Sequence, residues 1–509
     1  MALQAIFWLA DSACVPGALV LGVAIVIYTA VAWFASWARL KHIPGPPGVG
    51  LSKWWLLRNS LHGSLYLANM DACKTYGKCR AVDGRVLVTD DPDVLRHIWA
   101  VRSPYKKGPF YEAVRFNPER DNLVSLRDDR AHGTLRAKMA AGYAGKENES
   151  LESSIDREIL AFVDLLERKY ISTKTDFRPV DLAHKAQYLT LDVITALAFG
   201  KRLGFSEQDR DLYSYIKMTE ENMPVMMLMT IFPQLAHLMQ SRLFRWMMPS
   251  ERDRVGFGAF IAVAKEIVSE RLASDNPYQK DMLGSFLAHG LTREEAEGET
   301  LLQIIAGSDT TATAIRSTML HLMSSPRSYH RLATEVREAS AQGRISSPIT
   351  YAEARAMLYL QAVIQEGLRI NPPVVGTMDV VVPEGGDVLC GLRVPAGAEV
   401  GCSMFSLQRQ TAIFGADADV FRPERWLEAD EDVLKEMAST WSLIFRYGKW
   451  RCLGKDVALL ELNKVFVELL RRYDFTLVNP AKPWDSTNAG IFIQSNMYTK
   501  VTRVESVNV

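Results

Sequence analysis

Apolar residues along this chain recur mostly at helical spacing, and they are unevenly spread. The extreme stretch comes first. Ala18–Trp33 reads ALVLGVAIVIYTAVAW, and no charged side chain occurs between Asp11 and Arg39. The uncharged residues 12–38 would form about 40 Å of helix, enough to cross a hydrocarbon core of about 30 Å. Arg39, Lys41 and His42 follow this stretch, whereas Asp11 alone precedes it. That asymmetry predicts a one-helix anchor over residues 1–43, with the rest of the chain on the cytosolic side. A cleaved signal peptide fits less well, because a basic start is missing and the apolar run is long. Pro44-Gly45-Pro46-Pro47-Gly48 then forms a stiff, non-helical hinge. In this orientation the sequon Asn148-Glu149-Ser150 stays unmodified.

Beyond the hinge, long 3.6-residue periods dominate and β-like patches are short, which predicts a mainly α chain with small β-sheets. Residues 80–90 (RAVDGRVLVTD) read as a hairpin, and 378–400 as further short strands. Thr292-x-x-Glu295 is a capping box opening a helix that runs to Ser324, before Pro326. Its length suits a helix that crosses the whole molecule. Thr350-x-x-Glu353 opens a second helix, expected to end before Pro372. Eight of the 19 methionines fall between Met218 and Met248. They suit either ordinary core filling or an adaptable apolar lid over a cavity.

Composition narrows the function classes. The 59 basic and 59 acidic residues cancel, which excludes a polycationic nucleic-acid binder, and 48% apolar content excludes an acidic disordered chain. Six cysteines in 509 residues do not make a disulfide framework. Cys14 sits in or beside the apolar span, Cys73 is unremarkable by itself, and Cys390 and Cys402 read as small hydrophobes in strand-like segments. Cys73 and Cys79 could pair or bind a metal, but no second ligand pair accompanies them, so reduced thiols are expected. Cys452 differs: it sits in Phe445-Arg-Tyr-Gly448-Lys-Trp450-Arg-Cys452-Leu-Gly454-Lys, between glycines and beside three cations, ahead of an apolar helix. Glycines let backbone approach closely, and positive charge near a helix start predicts a thiol that ionises more readily than a free cysteine. Ionised sulfur is what a soft metal or an iron axial position requires.

This segment, F-x-x-G-x-x-x-C-x-G, resembles the haem-binding loop of the cytochrome P450 monooxygenases. Three more motifs occur in the order of that family. Ala306-Gly307-Ser308-Asp309-Thr310-Thr311 interrupts the long helix, and Glu366-Gly-Leu-Arg369 precedes Phe421-Arg-Pro-Glu-Arg425-Trp. The third is the proline hinge after an anchor. The resemblance runs from about residue 40 to 505 and is nearest to fungal microsomal members of the pisatin demethylase and benzoate hydroxylase kind. It implies one haem domain over 44–509, with haem b bound through Cys452 as the axial iron ligand. It further implies Phe445, Gly448, Trp450, Gly454 and Ala306 around the cofactor, and His132 and Arg136 at its propionates. Thr310 and Asp309 match the alcohol and acid that deliver protons to oxygen. Glu366, Arg369 and Arg425 match a buried ion network that locks the cysteine loop.

Departures from the pattern are specific. Arg446 stands where many members have glycine, and Trp450 where many have arginine or histidine. No arginine occurs within Thr377–Pro383, where members often carry one that meets a propionate.

The implied reaction uses dioxygen and two electrons to turn substrate C–H into C–OH and water. No flavin or nicotinamide fingerprint is present, so electrons would come from a separate NADPH–cytochrome P450 reductase, with cytochrome b5 as an optional second donor. Location in the endoplasmic reticulum membrane follows from the same resemblance. Arg446, Lys449 and Arg451 are candidates either for docking that acidic partner or for haem contacts. Phe110–Phe116, the methionine-rich stretch, Ala306, Thr310, Val374–Met378 and Gly490–Gln494 would face a lipophilic small molecule of fungal secondary metabolism. Alternatives are a haem-thiolate peroxide isomerase or dehydratase, a detoxifying demethylase or hydroxylase of aromatic xenobiotics, and a non-enzymatic haem sensor.

Overall fold

The computed structural model describes residues 23–504 apart from residues 25, 26, 29, 32, 33, 36, 118, 119, 146 and 149. Most of the expected span, Ala18–Trp33, lies outside the described residues. Its described members Val23, Ile27, Tyr28 and Val31 are helical and exposed. No helix among the described residues is long and apolar enough to cross a membrane.

Six helices position the site: α1 (Asp129–Tyr143), α2 (Leu182–Phe199), α3 (Tyr215–Ile231), α4 (Arg293–Met323), α5 (Leu358–Ile370) and α6 (Lys455–Leu470). α4 has 31 residues, about 46 Å, and both halves of its Thr292/Glu295 capping box are made. It is buried along most of its length, with α2, α5 and α6 packed around it. The second capping box also forms, but its helix stops at Ala356 and a new one begins at Leu358. Met357 is extended there (ψ 102°), and the N–H groups of Tyr359 and Leu360 donate to the Glu335 carboxylate at 3.1 Å each. A carboxylate from a neighbouring helix thus caps a fresh start, which sequence spacing does not reveal.

The sheets are small. Cys79–Ala81 (β1), Val86–Thr89 (β2), Lys106–Lys107 (β3), Val380–Val381 (β4) and Glu399–Cys402 (β5) form one sheet in the order β1-β2-β5-β4-β3. The expected hairpin is β1 against β2, with Cys79 opposite Thr89 and Ala81 opposite Leu87. β2 and β5 run parallel and the other pairs antiparallel. One apolar core surrounds α2 and α4 to α6; a second lies under this sheet and includes Trp99 and Trp450.

Cys73 and Cys79 are free, buried thiols, as expected, and Cys79 lies beside Cys390. Cys390 is an exposed turn residue at φ 49°, not a strand hydrophobe. Met218, Met223 and Met227 of α3 are buried, while Leu235, Leu238, Leu243, Trp246 and Met247 beyond it are exposed.

Candidate active site

Cys452 follows the turn Gly448–Trp450 and stands just ahead of α6. Its N–H donates to the Phe445 carbonyl at 2.8 Å, so the loop folds back on itself. The N–H groups of Gly454 and Lys455 point to the sulfur. Burial raises the thiol pKa more than those N–H groups and the Arg136 charge lower it. In the protein alone, the expected easy ionisation is therefore reversed. Depth outweighs the nearby charge, and one cation of the loop is engaged away from the sulfur. Lys449 donates to the carbonyls of Ser103 (3.0 Å) and Tyr105 (2.7 Å) and to Asp129 (2.8 Å).

Although Cys452 lies deep in the molecule, its side chain faces open space. That space is a largely apolar cavity between the two cores, of which about 330 Å³ is open to the centres of water molecules. Cys452, Phe445, Trp450 and Gly454 line it together with Ala306 and Thr310 of α4 and His132 and Arg136 of α1. Gly448 does not. Its φ is +57°, and a Cβ there would stand 2.1 Å from the Trp99 carbonyl oxygen, so this glycine seats the loop on protein backbone. Gly307 does line the cavity, but a Cβ on it would meet Ile194 Cγ1 at 2.7 Å, so it also lets α2 close on α4.

Asp309 and Thr310 part company. The Thr310 hydroxyl lies at the cavity and donates to the Ala306 carbonyl at 2.8 Å. Asp309 points away from it into a buried cluster. Its Oδ2 accepts from the Tyr215 hydroxyl at 2.9 Å, and its Oδ1 accepts from the Gln187 amide. Ser308 also bonds Tyr215 at 2.9 Å, and Arg316 backs Gln187 at 3.4 Å. Burial holds the Asp309 pKa up at about 6. The acid and alcohol that the resemblance pairs for proton delivery thus face different ways, because adjacent helical residues point about 100° apart.

Positive charge gathers at the cavity. Lys107, Arg136 and Arg446 line it, together with His132. Burial, with Lys107, Arg136 and Lys449 nearby, keeps His132 neutral at a pKa of about 3. Lys107 falls to about 7 through burial and the Arg446 charge. The indole N–H of Trp450 and the Nε and Nη2 of Arg446 are shut away from water with no partner. Orphan donors of this kind are uncommon in a finished interior and fit an absent acceptor.

Behind the loop, Glu366 accepts from Arg369 at 2.8 Å through both oxygens and from Arg425 Nε at 3.1 Å, all three buried. Trp426 Nε1 (2.9 Å) and Arg422 N (2.8 Å) complete its shell, and neither figured in the sequence reading. Paired with two guanidiniums, Glu366 stays below the usual carboxylate range despite burial. Trp426 meets Trp441 edge-on, and Trp441 meets Phe445, which carries the network to the cysteine loop.

Of the expected substrate segments, Val374, Gly376, Thr377 and Met378 reach the cavity wall. Phe110, Met227 and Gly490 form a layer behind Gly376: a Cβ on Gly490 would lie 3.4 Å from Met227 Cε, and one on Gly376 3.6 Å from Phe110 Cζ. Sequence reasoning missed the Leu123, Val124, Val193 and Ile194 lining and the buried acids Glu299 and Glu461, both raised by burial to a pKa of about 8. Glu461, an acid within the apolar run 457–462, was an available signal.

A long central helix facing a cysteine loop across a cavity is the arrangement of a cytochrome P450. The family model described as Cytochrome P450 matches residues 44–501, and the chain belongs to that family. It is a monooxygenase of the family, an oxidoreductase. It is 41% identical to "Cytochrome P450 monooxygenase ABA1" of Pyricularia oryzae over 486 residues, covering 94% of this chain and 95% of the relative. It is 39% identical to the monooxygenase aba1 of Botryotinia fuckeliana, covering 92% of each. A third relative, abl1 of Leptosphaeria maculans, is 36% identical over 87% of this chain and 80% of its own length. The residues present fit the haem of this family: one soft sulfur at the wall of a cavity whose cations and orphan donors await acidic acceptors.

Proposed function

We propose that this chain is a haem-thiolate monooxygenase that inserts one oxygen atom into a lipophilic small molecule of fungal secondary metabolism. The overall balance is R–H, O2, two electrons and two protons giving R–OH and H2O. The observation that carries the reading is the Cys452 side chain, bare toward a cavity lined also by Ala306 and Thr310 and by the cationic Arg136 and Arg446. When bound, the haem supplies the activation of dioxygen.

The chain's own residues have these parts. Cys452 would hold the haem iron through its sulfur, and the N–H groups of Gly454 and Lys455 would moderate charge on that sulfur. Trp450, His132 and Arg136 offer donors to the cofactor's carboxylates. Phe445 covers the loop side of the site. Thr310 holds a proton at Oγ1 beside the cavity, and Asp309 is a titratable reserve on the far face of α4. Leu302, Val374 and Ile194 provide the apolar wall that selects a lipophilic substrate and excludes water.

Electrons come from a separate NADPH–cytochrome P450 reductase. Arg451, an exposed cation of the loop that also lines the cavity, is a candidate contact for such a partner. Residence at the endoplasmic reticulum membrane is supported by the uncharged amino-terminal stretch and by exposed Leu235, Leu238, Leu243, Trp246 and Met247.

The spectrum of the reduced carbon-monoxide complex tests the reading. A strongly red-shifted Soret band is expected, and its loss in Cys452→Ser. A band at the position of histidine-ligated haem, or one that persists in the variant, overturns it.

A further inference from the structure

Arg446 is costly where it stands. Its backbone lies at φ 59° and ψ −173°, a region that glycine occupies freely and other residues only under strain. Glycine is what the loop pattern favours at this position, so the side chain must contribute something that glycine cannot.

Unlike Lys449, whose ammonium is fully engaged by protein, Arg446 lines the cavity with its guanidinium packed beside Trp99 and Trp450. Nη1 donates to the Tyr111 hydroxyl at 2.6 Å, and that hydroxyl donates to the Met378 carbonyl at 3.2 Å. The guanidinium carbon sits 4.5 Å over the Trp99 ring, which fixes its plane. Nε and Nη2 remain buried with no partner, and among the described residues no ion pair engages them. Two adjacent N–H donors of a planar guanidinium are the fork that takes a carboxylate side-on. The chain through Tyr111 ends on Met378, inside the segment 377–383 that lacks arginine.

We propose that Arg446 holds one carboxylate of the cofactor, supplying from the cysteine loop the guanidinium missing from residues 377–383. The inference rests on the haem reading above. Arg446 is then a cofactor-binding residue, and the cost of its backbone is offset only when that carboxylate is present.

The test uses purified holoprotein and follows haem transfer to an excess of a haem-scavenging apoprotein. Arg446→Gly, which relaxes the backbone and removes the fork, is expected to release haem at least tenfold faster. Arg446→Lys, which keeps the charge without the fork, should fall between. Tyr111→Phe, which breaks the link to Met378 but leaves the guanidinium, should stay within about threefold of the parent. The ferric–ferrous midpoint potential should move negative in Arg446→Gly and little in Arg446→Lys, since an unneutralised carboxylate favours ferric iron. Should the glycine variant fail to accumulate, Arg446→Gln provides the same comparison. Release from the glycine or glutamine variant within twofold of the parent overturns the proposal. So does Tyr111→Phe matching Arg446→Gly, which would mark the arginine as a structural staple. A parent protein without the thiolate carbon-monoxide signature would instead defeat the haem reading itself.

Discussion

Asp309 and Thr310 are neighbours in sequence and face different compartments of the molecule. The Thr310 hydroxyl meets the cavity, while the Asp309 carboxylate is held by Tyr215 at 2.9 Å within the packing of α2, α3 and α4. On the proposed function, proton delivery and proton storage would be divided between two faces of one helix.

Thr310→Ala removes the only hydroxyl of this pair at the cavity. Product formed per NADPH consumed, measured with any accepted substrate, is expected to fall by about tenfold or more, whereas Thr310→Ser retains most of it. Equal coupling in the alanine variant would remove Thr310 from the mechanism.

Asp309 offers a pH test of stability. Its pKa of about 6 exceeds the ordinary 3.8, so the folded chain binds this proton more tightly than the unfolded chain does. The stabilisation is complete below pH 3.8 and lost as pH rises through 6. Asp309→Asn removes the penalty and should be more stable than the parent at pH 7.5 by about 1–3 kcal/mol, with the gap closing toward pH 4. Denaturant unfolding at several pH values measures it. A parent more stable than the variant at pH 7.5 would mean that the Tyr215 and Gln187 bonds outweigh burial.

Glu366→Ala leaves Arg369 and Arg425 buried without their shared anion, a loss on the order of 3–5 kcal/mol. The variant is expected to accumulate without haem. Trp426→Phe removes one donor to Glu366 and should cost only about 1–2 kcal/mol with haem retained. Absorbance at the Soret band per protein checks both.

Two glycines make opposite predictions. Gly448→Ala forces a Cβ against the Trp99 carbonyl at positive φ and should cost about 2 kcal/mol or more, lowering haem content. Gly133 lies within α1 with open space around its would-be Cβ, so Gly133→Ala should gain about 0.5–1 kcal/mol. Thermal unfolding of the two variants decides this.

Much of the architecture could be read before any coordinate. The α4 boundaries, both capping boxes and the 80–90 hairpin follow from short-range spacing, the Glu366–Arg369–Arg425 network from the family resemblance, and all are present. The break at Met357 was illegible because its cause, Glu335, comes from another helix. Gly448 read as a cofactor contact because sequence shows that backbone comes close, not what it comes close to.

What the sequence by itself determined was local: where helices start and stop, which cysteine has a loop built around it, and which charges can pair at i, i+3. These depend on dihedral preference and near-neighbour chemistry, which the chain carries wherever it folds. Tertiary structure alone decided the direction of side chains and the state of their protons. It turned Asp309 away from the cavity and placed Arg446 at its wall, and it let burial outweigh nearby cations at Cys452. Electrostatic energy depends on depth and on what arrives from distant segments, and neither is a property of spacing.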